Sequence, residues 1–187
     1  EDLDLGEYGN RVPQFSFEVF RPAQPDAASK PLASRLPGVA MIPGTGEYAL
    51  ASTPVHWTAG PGANTSININ TPGGETDFEV SLNALDRDLP NCNSVSLVVS
   101  WFGDDLRCDS CELRPKVDQK KYDGVQMPYR VGGAKRSDLE EIARVDGAQI
   151  YGGTPCDTSV IEAIRELQDS GKKVVFYPFI LMDQVEG

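Results

Sequence analysis

The chain has 187 residues, of which 40% are hydrophobic and 24% charged, the proportions of an ordinary globular protein with a core of its own. Its formal net charge of −11 argues against a general field that grips nucleic-acid phosphates. No apolar run approaches the roughly 20 residues that span a bilayer, and the start, "EDLDLGEYGN", has neither the basic nor the apolar region of a signal peptide. The opening and the closing "FILMDQVEG" both read as places where a longer chain has been cut.

In chain order, Phe15, Phe17 and Val19 alternate with polar residues between Pro13 and Pro22, the period-2 signal of a half-buried strand. Pro22, Pro25, Pro31 and Pro37 then mark residues 22–37 as a linker, because each fixes φ and removes a donor. Apolar runs Val39 to Ile42 and Tyr48 to Leu50 flank Pro43-Gly44-Thr45-Gly46, which predicts strand, tight turn, strand; a phosphate loop would need Gly-Lys-Ser/Thr opening a helix. Residues 59–74 have loop chemistry throughout.

From Phe78 the period changes. Phe78, Leu82, Leu85 and Leu89 fall on one helical face, with Thr71 and Thr76 as candidate caps and Glu75, Asp77 and Glu79 at the positive end of the dipole. After Pro90-Asn91, residues 94–102 form a near-continuous β-branched and aromatic run, the pattern of a strand buried on both faces. A long irregular stretch follows. Residues 137–155 suggest a short helix and a strand end at Ile150-Tyr151. Asp157 or Thr158 then caps a helix whose apolar face is Val160, Ile161, Ile164 and Leu167, with Gly171 as C′, and Val174 to Tyr177 make another buried strand. Helix, strand, loop, helix, strand is the rhythm of an α/β fold with adjacent parallel strands.

Candidate chemistry gathers past the strand ends, where α/β sheets and barrels bind ligands. Asp104 and Asp105 follow the 94–102 strand and Asp183 follows the last one, the outline of a two-carboxylate glycoside hydrolase. A complete eight-stranded barrel takes about 250 residues, so solvated or capping roles are the better reading of these aspartates. Cys108 and Cys111 form a Cys-x-x-Cys: a loop-stapling disulfide or reduced pair comes first, a metal site second and redox catalysis third. Completing a zinc site would take Cys92 and Cys156, which make no second close pair, or His56, the sole histidine. Trp57, Trp101 and Tyr129 are the aromatics a non-catalytic glycan-binding module would use. For Tyr122, Tyr129 and Tyr151, packing is the simpler role.

The phrases "YGNRVPQFSFEVFRP", "PGVAMIPGTGEYALASTPV", "LPNCNSVSLVVSWFGDDLRCDSCELRPKV" and "YGGTPCDTSVIEAIRELQDSGKKVVFYPFILMD" together resemble one family. It is the very long tail-tip host-specificity, or megatron, family of gene transfer agents and long-tailed phages, which carries a TIM-barrel-like domain. By this resemblance residues 1–21 end a β-rich hub segment, 22–37 are the linker and 38–187 open the TIM-barrel-like domain, incomplete in this chain. The resemblance implies a virion structural component at the tail tip (baseplate), active in host attachment and DNA delivery. Its implied partners are hub and distal-tail proteins, copies of itself and the host envelope, with DNA only in transit. It implies no cofactor and brings no catalytic residues with it. The alternative is a glycoside-hydrolase-like barrel domain acting on or binding cell-envelope glycans.

Overall fold

A computed structural model describes residues 30–42, 46–58, 60, 62–149 and 151–182. The strand expected over residues 14–20 lies outside these, as does Asp183. Contacts divide the chain after Pro31, and the elements below belong to the unit that begins at Leu32. Its described residues are mixed α and β: two α-helices, one larger sheet and several very small ones.

The elements are β1 (Gly38–Met41), β2 (His56–Thr58), β3 (Asn64–Ser66), α1 (Asp77–Asp88), β4 (Ser94–Gly103), β5 (Leu113–Arg114), β6 (Lys116–Val117), β7 (Arg130–Val131), β8 (Ala134–Lys135), β9 (Glu140–Glu141), β10 (Arg144–Val145), β11 (Ala148–Gln149), α2 (Asp157–Asp169) and β12 (Lys173–Met182). β4 is the centre of the main sheet, in the order β1-β4-β12, with both neighbours parallel to it. The short β5 adds antiparallel to the end of β4.

Strand neighbours follow chain order, and each parallel step contains one helix. Side chains alternate across the sheet. Val95, Leu97 and Val99 of β4 take Phe78 and Leu82 of α1, and Val160, Ala163 and Leu167 of α2, into one buried cluster. Val39 and Met41 of β1 and Val174 of β12 pack against the same cluster, so both helices cover one face. The opposite face carries the half-buried Ser94, Ser96 and Ser100 together with the buried Val98 and Phe102, so the strand departs from apolar–polar alternation only at those last two and is covered on both faces.

α1 begins as the sequence requires. The Thr76 hydroxyl accepts from the Glu79 N–H (3.3 Å), and the Glu79 carboxylate accepts from the Thr76 N–H (2.9 Å), a reciprocal capping box. Thr76→Ala removes one half of it at a fully buried position. The expected loss is about 1–2 kcal/mol of stability, measurable as a lower urea midpoint with unchanged slope.

α2 starts one residue earlier than expected, with Cys156 as N-cap and Asp157 and Thr158 in its first turn. It ends in a Schellman pattern: Lys172 N–H to Leu167 O and Gly171 N–H to Gln168 O, both 2.9 Å, with Gly171 at φ 79°. Ile161, expected on the apolar face, is 46% exposed; Val160, Ala163 and Leu167 are the buried ones.

Two further expectations are corrected. Tyr48 to Leu50 is a turn, with Ala51 N–H on the Tyr48 carbonyl at 3.0 Å. Tyr48 and Leu50 alternate like a strand because each enters a different cluster, Leu50 beneath the helices and Tyr48 beside Tyr129 and Val117. Residues 137–155 contain no α-helix among those described. A 3₁₀ turn at Arg136–Asp138 turns Arg136 inward, and β9 then pairs with β6. Among the described residues of 59–74, β3 pairs with β2 as a hairpin and the others lie outside helices and strands.

Candidate functional site

The loop between β4 and β5 holds four of the residues singled out from the sequence, and its geometry is self-contained. The exposed Asp104 accepts the Glu112 N–H at 2.8 Å. Asp105 accepts the Arg107 N–H at 2.8 Å and a two-pronged contact from its guanidinium, which holds the Asp105 carboxyl below its ordinary range. Both carboxylates thus shape the turn, and Asp183 is not among the described residues. Cys108 is exposed, Cys111 half-buried, and all four cysteines are free thiols. No group of three or more His, Cys, Asp or Glu side chains able to hold a metal occurs among the described residues.

The densest polar constellation lies elsewhere, in segments that leave the ends of β1 and β4. The described residues of 46–70 and 113–156 fold together around Tyr48, Val55, Val117, Met127, Tyr129, Val131 and Cys156, and Trp101 of β4 packs against both this cluster and the one beneath the helices. At its centre the Glu47 and Arg136 side chains are 0% and 5% exposed.

All five guanidinium N–H groups of Arg136 have acceptors. Nε reaches Asp123 (3.2 Å), Nη1 reaches Glu47 (2.8 Å) and the Gln119 carbonyl (2.8 Å), and Nη2 reaches Glu47 and the Tyr48 hydroxyl (3.1 Å). The guanidinium also stands 4.7 Å from the Tyr129 ring centroid. Glu47 Oε1 accepts the Asp118 N–H as well (2.6 Å), and Asp118 accepts the Gly153 N–H (2.6 Å). Asp123 Oδ1 accepts from Tyr48 OH, Gly124 N–H and Tyr129 N–H at 2.9–3.0 Å. A buried network with every member satisfied fixes the loops that contain it; its charges point at each other rather than at a cleft.

Titration of the network has a definite sign. Burial pushes Glu47 up to about 7 despite Arg136, and burial also raises Asp118. A raised folded-state carboxyl favours the native protein in full below its unfolded value, and that gain is lost as pH rises through the folded one. For Asp123, burial is outweighed by the hydrogen bonds from Tyr129, Tyr48, Gly124 and Arg136, so its carboxyl is held below the ordinary range. Its contribution is present above the unfolded value and lost as pH falls through the folded one. Through these groups stability should be greatest in mildly acidic solution, fall as pH rises through about 7 where Glu47 ionises, and fall again in stronger acid as Asp123 takes up its proton. Thermal melts across pH 3–8 check this; a maximum at or above neutral pH would contradict it.

The third feature is a surface. β12 pairs with β4 over ten residues, Lys173↔Ser94 to Met182↔Gly103, and is the last strand of the sheet. Val175, Phe176, Tyr177, Phe179 and Ile180 along it are 43–55% exposed. By register Val175, Tyr177 and Phe179 lie opposite Ser96, Val98 and Ser100 on the face away from the helices. Phe176 and Ile180 lie on the helix face, where Phe176, Ile161, Trp101 and Val131 border an apolar groove of about 210 Å³. The apolar run Val174 to Tyr177 forms the expected strand but not a buried one, because burial depends on what stands beside it.

The aromatics proposed for sugar binding are dispersed. Tyr129 is fully buried, with its hydroxyl on the Thr154 carbonyl (2.9 Å); Trp101 is half-buried against both clusters; Trp57, next to His56 in the β2–β3 hairpin, stacks on Tyr122 at 6.2 Å. None of Glu47, Asp118, Asp123 and Arg136 stands out in the sequence as a site residue, because each is an isolated charge among loop residues. Among the described residues no helix is long and apolar enough to cross a membrane. No protein-family model matches the chain, and no curated protein matches it.

Proposed function

We propose that this chain is part of a structural protein of a phage-like tail tip, and that its sheet and helices open a TIM-barrel-like domain. The observation that carries this reading is β12. A parallel strand is ordinarily buried on both faces, yet among the described residues this one pairs along one edge and exposes large apolar side chains on both faces. Such a strand belongs inside a larger assembly. The order β1-β4-β12, all parallel, with both helices on one face, is also how a barrel of alternating strands and helices begins. The resemblance of the sequence phrases to the tail-tip host-specificity family supports the tail-tip part of this reading. The net charge of −11 suits a part that DNA passes without being held. No observation favours the glycoside-hydrolase-like alternative, since Asp104 and Asp105 are engaged within their own loop.

Antibodies raised against the exposed β10–β11 hairpin, gold-labelled and imaged on particles from the source culture, test the reading. Label at the distal end of the tail supports it. Label on heads or tail shafts, or none on any particle, sinks it.

A further inference from the structure

Cys108 is exposed and Cys111 half-buried, and the two share one turn. The N–H groups of Ser110 and Cys111 both reach the Arg107 carbonyl, at 3.0 and 2.9 Å, so residues 107–111 form a single helical turn. Residues three apart on such a turn have Cβ atoms about 5–6 Å apart, and a disulfide needs about 3.5–4.5 Å. A modest tightening of an exposed turn closes that gap. Cys111 is anchored on its other side: a β-carbon at Gly103 would lie 2.9 Å from its Sγ, so the absence of that carbon is what lets the sulfur sit against β4.

The other two cysteines differ in kind. Cys92 is 5% and Cys156 0% exposed, and the Cys156 Sγ lies 3.4 Å from the Met127 Sδ inside the loop cluster. Burial raises the Cys156 thiol above its ordinary range and slows its reaction further.

We propose that Cys108 and Cys111 are a reversible oxidation site, closed to an intramolecular disulfide by low-molecular-weight disulfides such as oxidised glutathione. The exposed Cys108 thiolate attacks one sulfur of the small disulfide. That S–S bond breaks, one thiolate leaves, and a mixed disulfide forms on Cys108. The Cys111 thiolate then attacks the Cys108 sulfur and releases the second small thiolate. The two protein thiols lose two electrons, the small disulfide gains them, and the two protein protons end on the two released thiols. The closed form staples the turn that leads from β4 into β5.

The test uses the full chain, incubated with oxidised glutathione and read by thiol titration, intact mass and peptide mapping. Two of the four thiols should disappear, the mass should fall by two hydrogens, and the cross-link should map to Cys108–Cys111; excess dithiothreitol should restore it. Cys111→Ser should instead trap a stable glutathione adduct on Cys108. Both positions lie in a surface loop, so neither result depends on refolding. The proposal is overturned by any of four outcomes: unreacted thiols, adducts on both cysteines without closure, a cross-link that includes Cys92 or Cys156, or a disulfide between two chains.

Discussion

Replacing Arg136 with alanine should remove about 3–5 kcal/mol of stability, a large share of the 5–15 kcal/mol typical of a domain. The loss comes less from the ion pair than from what it leaves behind. Glu47, with a fully buried side chain, would face Tyr48 and Asp118 with no cation beside it, and the Gln119 carbonyl and the Tyr48 hydroxyl would each lose a donor. Lysine at 136 should rescue little, because an ammonium lacks the planar fork that serves Glu47, Asp123 and two further acceptors at once. Without its cation Glu47 must take up a proton to remain buried, so the deficit should be larger at pH 8 than at pH 5. Combining Arg136→Met with Glu47→Leu should lose clearly less than the sum of the two single changes. Urea titrations at both pH values measure all of this; a deficit for Arg136→Ala under about 1 kcal/mol would show that the network holds nothing together.

Leu97→Ala and Phe176→Ala should differ sharply although the two residues are register partners on one face of adjacent strands. Leu97 is 0% exposed between α1 and α2, and its truncation opens a cavity costing about 2–5 kcal/mol. Phe176 is 49% exposed at the open side of the sheet. Its truncation in the isolated chain should cost under about 1 kcal/mol and should reduce self-association, because apolar surface is removed. In a longer protein that covers β12, the same substitution should approach the Leu97 value. Chemical denaturation of both variants, with light scattering for association, provides the comparison.

The parts of the fold legible in the sequence are those with a period. Phe78, Leu82 and Leu85 marked α1, the β-branched run marked β4, and Val160 to Leu167 with Gly171 marked α2 and its end. The segments leaving β1 and β4 have no period to read. Their ladders are two or three residues long, and their order comes from contacts such as Arg136 to Glu47, separated by 89 positions. A single Arg beside Ser137 and Asp138 looks like a solvated charge; only the folded chain shows it buried. The aspartates after β4 were legible as loop residues, and their roles as acceptors for Glu112 and Arg107 are local chemistry that a turn of this composition invites. Exposure of β12 is the reverse case: its sequence is that of an interior strand, and interior it would be if another element stood beside it.

If β12 is an interior strand of a tail-tip assembly, as proposed, cryo-EM of intact particles carrying the full-length gene product, at a resolution that traces strands, is the decisive measurement. The account predicts density for this unit at the distal end of the tail, with a further parallel strand paired to the free edge of β12 and side chains covering Phe176 and Tyr177. A unit found at the tip with β12 bare to solvent would contradict the barrel reading, and its absence from the particle would contradict the whole account.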